Sequence, residues 1–334
     1  MNTTSTLLAF PPDQAVAAFQ QMADAWELPT TAGGGELLIT LERGEIRVGP
    51  SGEATQVRVL AESEGDLQML RDTLSEQLIS HGLNPSWEGA LSGSQPANQA
   101  MANVVEVLDL SPSYRRVVIE GPQLARFAEG GLHFRLLFGP EGAGWPRTDD
   151  RGVTQWPGGA SAWHRPVYTT REIVCEGDAA RLSFDVFLHD GGRVTEWTQR
   201  VQPGDEIALT GPGGETGHRD ARWRGFIGDE TALPAIARML AAAPNDLQGE
   251  AIIVVPREGD IQPLRHPAGV TVHWALRDNG GNVLDALGAL NLPEADRHVF
   301  FAAEKAEALA ARAALLEQGL AKAEFIAATY WTKD

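Results

Sequence analysis

The apolar positions of this chain change period repeatedly, and each change marks a different kind of structure. Behind Pro11-Pro12-Asp13, the residues Val16, Phe19, Met22, Ala23 and Trp26 fall on one helical face, with the prolines placed as a helix start. Gly33-Gly34-Gly35 interrupts that pattern. Residues 37–41, an Arg43-Gly44 turn, residues 46–48 and the alternating Val57-Arg58-Val59 then read as a short antiparallel meander. Leu67, Leu70, Leu74 and Leu78 restore helical spacing, and Gly82 stands where a helix would end in the left-handed region. The pattern predicts a small α+β domain over residues 1–95, followed by a polar, patternless linker from Leu91 to Gln99.

From Val104 the apolar runs become short and β-like: 104–107, 116–119, 134–138, 167–174, 182–188 and, after Pro203-Gly204-Asp205, 206–210. They predict an antiparallel barrel over residues 100–220, ended by Gly211-Pro212-Gly213-Gly214. Residues 139–159 are rich in glycine, proline and tryptophan and too long for a hairpin, which suggests a functional loop or flap. After Arg222 strand and helix alternate: 223–227, 232–243, 251–255, 270–275, 283–290, 299–302, 304–319 and 324–330. That alternation is parallel-sheet grammar, and residues 221–334 are expected to form a doubly wound layer whose strand ends face a ligand crevice. The fold class predicted is multidomain α+β: a small α+β domain, an antiparallel β-barrel and an α/β parallel-sheet domain.

Composition narrows the partners. The 334 residues are 43% hydrophobic and 22% charged, ordinary for a globular protein, with a formal net charge of −18 that works against nucleic acid and anionic membranes. Lysine is absent before Lys305, so an anionic ligand would be met by arginine. Cys175 is the single cysteine, which excludes an internal disulfide, a cysteine-ligated zinc and an iron–sulfur cluster; its thiol is expected to be packed inside. No pair of the eight histidines has metal-binding spacing, and no metal site is expected. Residues 1–10 lack the basic start and long apolar run of a signal or anchor, so a cytoplasmic location without membrane insertion is expected.

Three stretches carry candidate chemistry. Arg165-Pro166-Val167-Tyr168-Thr169-Thr170-Arg171 puts cations, a flat phenol and small hydroxyls on one extended segment, which suits a flavin's phosphates, ring face and ring-nitrogen edge; it also reads as an ordinary barrel strand. His189-Asp190-Gly191-Gly192-Arg193-Val194-Thr195-Glu196-Trp197 places glycines and a hydroxyl before a helix, a turn able to hold pyrophosphate or simply a surface connection with Trp197 packed on the barrel. Gly228-Asp229-Glu230-Thr231-Ala232-Leu233-Pro234 closes a strand and opens a helix, offering unpaired N–H groups to a dinucleotide. Asp229 and Glu230 repel phosphate and are expected to cap the helix or meet ribose hydroxyls, leaving pyrophosphate to backbone N–H groups and to Arg257 or Arg277. Trp274, Tyr330 and Trp331 at strand ends either cover a flavin or fill an interface, with packing favoured; Lys305, Arg312 and Lys322 read as a wet helix face.

These words, together with Leu110-Ser111-Pro112-Ser113-Tyr114-Arg115-Arg116-Val117 and His133-Phe134-Arg135-Leu136-Leu137-Phe138, resemble the siderophore-interacting protein family, flavin-dependent ferric-siderophore reductases of the ferredoxin reductase-like group. The resemblance covers residues 104–331, and residues 1–95 resemble a small uncharacterised domain that can accompany it. It implies FAD in the barrel, with Arg165 and Arg171 near phosphate or ribose, Tyr168 against the ring and Thr169 at its nitrogen edge, these last two as catalytic residues. It extends the FAD set to Thr170, Asp185, His189, Gly192, Thr195 and Trp197, and gives Gly228, Asp229, Glu230 and Thr231 to NADPH or NADH. The chain departs from the family pattern in placing Arg165 one residue early, in Gly192-Arg193-Val194-Thr195 and in Ala302-Ala303-Glu304.

The activity implied is hydride transfer from NAD(P)H to FAD and single-electron reduction of siderophore-bound Fe(III) to Fe(II), with Arg115, Arg135 and Arg147 as candidates to meet an anionic chelate. Two rivals share these signals: an NAD(P)H-dependent flavoprotein reducing a quinone, free flavin or a protein, and a non-catalytic protein that binds or senses a ferric siderophore.

Overall fold

The computed structural model describes residues 1–89, 92–214 and 220–333; Leu91, the head of the expected linker, lies outside them. The first sheet comprises β1 (Asn2–Leu8), β2 (Thr30–Gly33), β3 (Glu36–Leu41), β4 (Gly44–Ser51) and β5 (Ala54–Ala61), antiparallel in the order β1-β5-β4-β3-β2. Helices α1 (Pro12–Ala25) and α2 (Glu64–Ser80) bury Ala15, Phe19, Ala23, Leu67, Leu74 and Leu78 in one core with Leu37, Ile39, Ile46, Val57 and Val59. Proline begins α1, Ser63 caps α2 by accepting from the Asp66 N–H, and Gly82 has φ +78°. No strand is expected in residues 1–10, yet β1 forms. Its Thr4, Ser5 and Thr6 are buried and hydrogen-bonded to the segment at Ser86 and Glu88, so hydroxyls do there what apolar side chains do elsewhere.

The second sheet contains β6 (Gln99–Ser111), β7 (Tyr114–Gly121) and β8 (His133–Leu137). Two short strands, β9 (Arg147–Thr148) and β10 (Thr154–Gln155), form a hairpin inside the long loop that follows. The sheet resumes with β11 (Val167–Thr169), β12 (Glu172–Glu176), β13 (Ala179–Phe187) and, after helix α3 (Arg193–Thr198), β14 (Glu206–Gly213), in the order β11-β8-β14-β6-β7-β13-β12. The single strand expected over 167–174 is therefore two. The chain breaks at Thr170-Arg171, whose N–H groups donate to Leu132 and Ser183 carbonyls, so β11 pairs with β8 and β12 with β13. These strands end the order on opposite sides, and the break carries the chain from one edge of the sheet to the other. Cys175 on β12 is exposed, against the expectation of a packed thiol, because the short edge strand turns that side chain to solvent.

The third sheet is parallel, with β15 (Trp223–Gly228), β16 (Gln248–Val255), β17 (Val270–Leu276), β18 (Arg297–Glu304) and β19 (Phe325–Trp331) in the order β17-β16-β15-β18-β19. Helices α4 (Leu233–Ala242), α5 (Val283–Gly288) and α6 (Lys305–Glu317) cover it. Apolar runs such as Ala251–Val255 are buried on both faces, as parallel strands require, and Lys305, Arg312 and Lys322 are exposed.

The chain packs as two compact units, residues 1–100, 136–166 and 208–211, and residues 101–135, 167–207 and 212–334. In the first, the long loop is held by the N-terminal domain. Val153 packs against its core, the Trp87 N–H donates to Arg151 O, and Asp72 on α2 accepts from the Thr154 N–H at 2.8 Å and hydroxyl at 2.6 Å. Ser94 and Gly93, inside the expected linker, pair with Thr148 of the same loop. Within this unit Arg165 stands over the Trp156 ring, 4.7 Å from its centroid, and Arg147 donates to Gly93 O.

Candidate functional site

The second unit gathers most of the remaining sequence-predicted residues. On β11, Tyr168 sits opposite Phe134 and Thr169 opposite His133. The Tyr168 ring is 5.3 Å from Phe184, burial pushes its phenol above the ordinary tyrosine value, and Trp197 stacks on Phe184 at an interplanar angle of 9°. The Thr169 hydroxyl meets His133 Nδ1 at 3.2 Å.

At the strand break the buried carboxylate of Asp185 receives Arg116 bidentately, at 2.7 and 2.9 Å, because Asp185 and Arg116 are register partners on β13 and β7. Arg171 Nε lies 3.5 Å from the same carboxylate, at ion-pairing range but without a hydrogen bond. Burial lowers the Arg171 guanidinium from its ordinary value more than Asp185 restores it. Two guanidinium groups thus share one buried carboxylate, and the half-exposed Glu172 carboxylate, 4.0 Å from Arg171 Nη1, is their second counter-charge. Beside it Thr170 Oγ1 and Ser183 Oγ are buried without hydrogen-bond partners, an arrangement costly in a finished protein interior.

In the turn after β13, the His189 N–H donates to Thr195 Oγ1. A side chain at Gly192 would place Cβ 2.7 Å from the His189 ring and 3.0 Å from Thr195 Oγ1, so only glycine lets the turn close. His189 itself is exposed.

At the carboxyl ends of the parallel strands the Gly228 turn behaves as the helix opening expected. Asp229 Oδ1 accepts from the Thr231 N–H and hydroxyl, and Oδ2 from Trp331 Nε1 at 2.7 Å. A Cβ at Gly228 would stand 2.5 Å from Ala232 Cβ, so glycine allows α4 to pack on β15. Glu230 pairs with Arg277 at 2.9 Å, and burial beside Asp229 raises its carboxyl despite that cation. Arg277, a candidate for pyrophosphate, is therefore committed to Glu230, whereas Arg257 is 57% exposed and 3.8 Å from Asp260. Arg115 is committed likewise, to Asp109 and the Thr198 carbonyl.

The barrel and the parallel sheet are tied by buried polar contacts inside this unit. Tyr114 Oη donates to Glu230 O at 2.8 Å; Asp260, fully buried, accepts from the Ser111 and Ser113 hydroxyls; and Arg238 on α4 donates to the Phe127, Ala128 and Leu132 carbonyls. Trp274 and Tyr330 pack against the same core, as interface residues.

An antiparallel barrel with a five-stranded parallel sheet whose order reverses between β15 and β18 is the ferredoxin reductase-like fold. Residues 103–216 match the model of the siderophore-interacting FAD-binding domain, and residues 221–334 that of the siderophore-interacting protein. The chain belongs to the siderophore-interacting protein family. Among its relatives, the NADPH-dependent ferric-chelate reductase of Escherichia coli is 28% identical over 212 residues, 60% of this chain and 80% of that one. The ferric vibriobactin reductase ViuB of Vibrio cholerae is 27% identical over 242 residues, 67% of this chain and 86% of that one. The crystal structure of the siderophore-interacting protein SipS from Aeromonas hydrophila aligns at a TM-score of 0.60 with 28% identity, covering 71% of this chain and 93% of that one. Neither family match includes residues before 103.

The residues present fit FAD. The buried Thr170 and Ser183 hydroxyls and Arg171 Nε have no hydrogen-bond partner, and they are groups of the kind that phosphate or ribose oxygens satisfy. Sequence reasoning gave no role to Arg116, Ser183 or His133. The first two are visible only through the pairing of β7 with β13 and β13 with β12, and His133 only through its position opposite Thr169.

Proposed function

We propose that this protein is a ferric-siderophore reductase acting in the cytoplasm, taking hydride from NADPH or NADH onto FAD and passing electrons singly to siderophore-bound Fe(III), which leaves as Fe(II). The observation that carries this reading is the constellation at the β11–β12 break: Tyr168 and Thr169 followed at once by a buried Thr170 hydroxyl and an Arg171 Nε that make no hydrogen bond in the protein. FAD, when bound, supplies the conversion of a two-electron donor into one-electron steps. Arg171, with Thr170 and Ser183, binds its phosphate or ribose; Tyr168 backs the ring; Thr169 hydrogen-bonds at the nitrogen edge. The Gly228 turn receives the nicotinamide nucleotide through backbone N–H groups, with Glu230 and Asp229 fixed by Arg277 and Trp331. The E. coli and V. cholerae relatives, named for reduction of a ferric chelate and of ferric vibriobactin, support the acceptor class. Among the described residues no helix is long and apolar enough to cross a membrane.

The test is an anaerobic titration of FAD-loaded protein with NADPH or NADH, followed by a ferric siderophore in the presence of an Fe(II)-trapping dye. Bleaching of the flavin band by the nucleotide and its return with two Fe(II) trapped per flavin is the expected result. Protein that retains no FAD, or reduced flavin that ferric chelates leave bleached, would refute the reading.

A further inference from the structure

A hydrogen-bonded chain crosses the second unit from β11 through β8 to β19. Thr169 Oγ1 lies 3.2 Å from His133 Nδ1, and His133 Nε2 lies 3.1 Å from Tyr330 Oη. Strand register fixes the first contact, since Thr169 and His133 are direct partners. Ring packing fixes the second: His133 and Tyr330 meet edge to face at 5.5 Å and 83°, and Phe300 holds Tyr330 from another side at 6.4 Å and 76°. The imidazole also lies against the backbone of Gly214, where a Cβ would stand 2.6 Å from His133 Cδ2.

A neutral imidazole carries one N–H and one lone pair, so with both nitrogens engaged its tautomer sets the polarity of both neighbours. With the proton on Nδ1, His133 donates to Thr169 Oγ1, the threonine hydrogen is free to point onward, and Tyr330 donates to Nε2. With the proton on Nε2, Tyr330 accepts, Thr169 donates to Nδ1, and the threonine oxygen faces onward as an acceptor.

We propose that His133 and Tyr330 are positioning residues that switch the Thr169 hydroxyl between donor and acceptor and carry a proton away from it. The proposal rests on the FAD reading above. FAD, held with its ring nitrogen beside Thr169, would supply a hydrogen-bond acceptor in its oxidised state and, after its two electrons had reduced two Fe(III), a proton to be removed. Thr169 Oγ1 takes that proton while its own passes to His133 Nδ1; the Nε2 proton passes to Tyr330 Oη, and the tyrosine hydroxyl proton goes to water from a half-buried site. Each residue of the chain gains one proton and loses one, His133 gaining at Nδ1 and losing at Nε2. The chain ends with the proton on Nδ1, the tautomer that presents Thr169 as a donor to the oxidised ring.

The test is two-bond ¹H–¹⁵N correlation spectroscopy on ¹⁵N-histidine-labelled, FAD-loaded protein, with His133 identified among the eight histidines by loss of its signals in His133→Asn. The expected result is a proton on Nδ1 in the oxidised protein and on Nε2 after anaerobic dithionite reduction. The same tautomer in both states would overturn the proposal. Tyr330→Phe keeps the ring packing and is expected to leave FAD affinity within about twofold while slowing reoxidation by ferric citrate about a hundredfold, the low end for a positioned proton-transfer group. Unchanged reoxidation would also overturn it. Protein that binds no FAD fails both readings, whereas FAD bound beside a fixed His133 tautomer fails this one alone.

Discussion

Asp72 and Asp185 are both enclosed aspartates on regular elements, and their surroundings differ in kind. Asp72, on α2 of the first unit, is hydrogen-bonded by neutral donors: the Thr154 N–H and hydroxyl and the Gln68 side-chain amide. Loss of hydration raises its carboxyl above the ordinary value. Asp185, on β13 of the second unit, is shared by Arg116 and Arg171 amid hydroxyls that have no partner. The first arrangement is complete and fastens a loop. The second leaves hydroxyl and guanidinium groups without hydrogen bonds, which is how a binding site differs from a structural contact before any ligand is considered.

Asp185→Ala strikes at the contrast hardest. It leaves two guanidinium groups against one another, and removing one partner of a buried ion pair costs about 3–5 kcal/mol; urea unfolding that shifts by less than about 1 kcal/mol would show that the pair is solvent-screened. Asp72→Asn is milder, since the amide preserves an acceptor for the Thr154 N–H and adds a donor for its hydroxyl. Because the folded-state pKa of Asp72 is raised, its favourable contribution is complete below the usual carboxylate range and is lost as pH rises through the folded value. Wild type should therefore lose stability relative to Asp72→Asn as pH rises from acid to neutral; a gap that does not vary with pH counts against desolvation. Thr170→Val has the smallest effect on the fold, within about 0.5 kcal/mol, because it removes a hydroxyl with no partner. The same variant should weaken FAD binding about fivefold, roughly 1 kcal/mol, measured by flavin fluorescence, and equal affinity would show that the hydroxyl serves no ligand.

The parallel sheet was the most legible region, because alternating apolar strands and helices with a Gly228 break leave few topologies. Helices α1 and α2 were legible for the same reason, a clear period bounded by prolines before α1 and by Gly82 after α2. Strand β1 was not: Thr4, Ser5 and Thr6 are interior residues whose burial depends on acceptors and donors eighty or more positions away. The division of 167–174 into two strands was hidden too, since β propensity is continuous across Thr170-Arg171 and only the Leu132 and Ser183 carbonyls break it. Tyr168, Thr169 and Arg171 could be read as a word. The ion pair that holds Arg171 and the histidine that addresses Thr169 come from strand pairing, which no local pattern records.

The grip of α2 on the long loop has a consequence for how the molecule is made. Asp72 closes on Thr154 across 82 residues, and Val153 completes the apolar core of the first sheet. At about 5–20 residues per second of synthesis, the N-terminal domain emerges from the ribosome several seconds before the segment that finishes it. During that interval the Val153 seat is open to water, and the domain serves as a waiting template on which the glycine- and proline-rich loop, with its β9–β10 hairpin, is laid down as it appears.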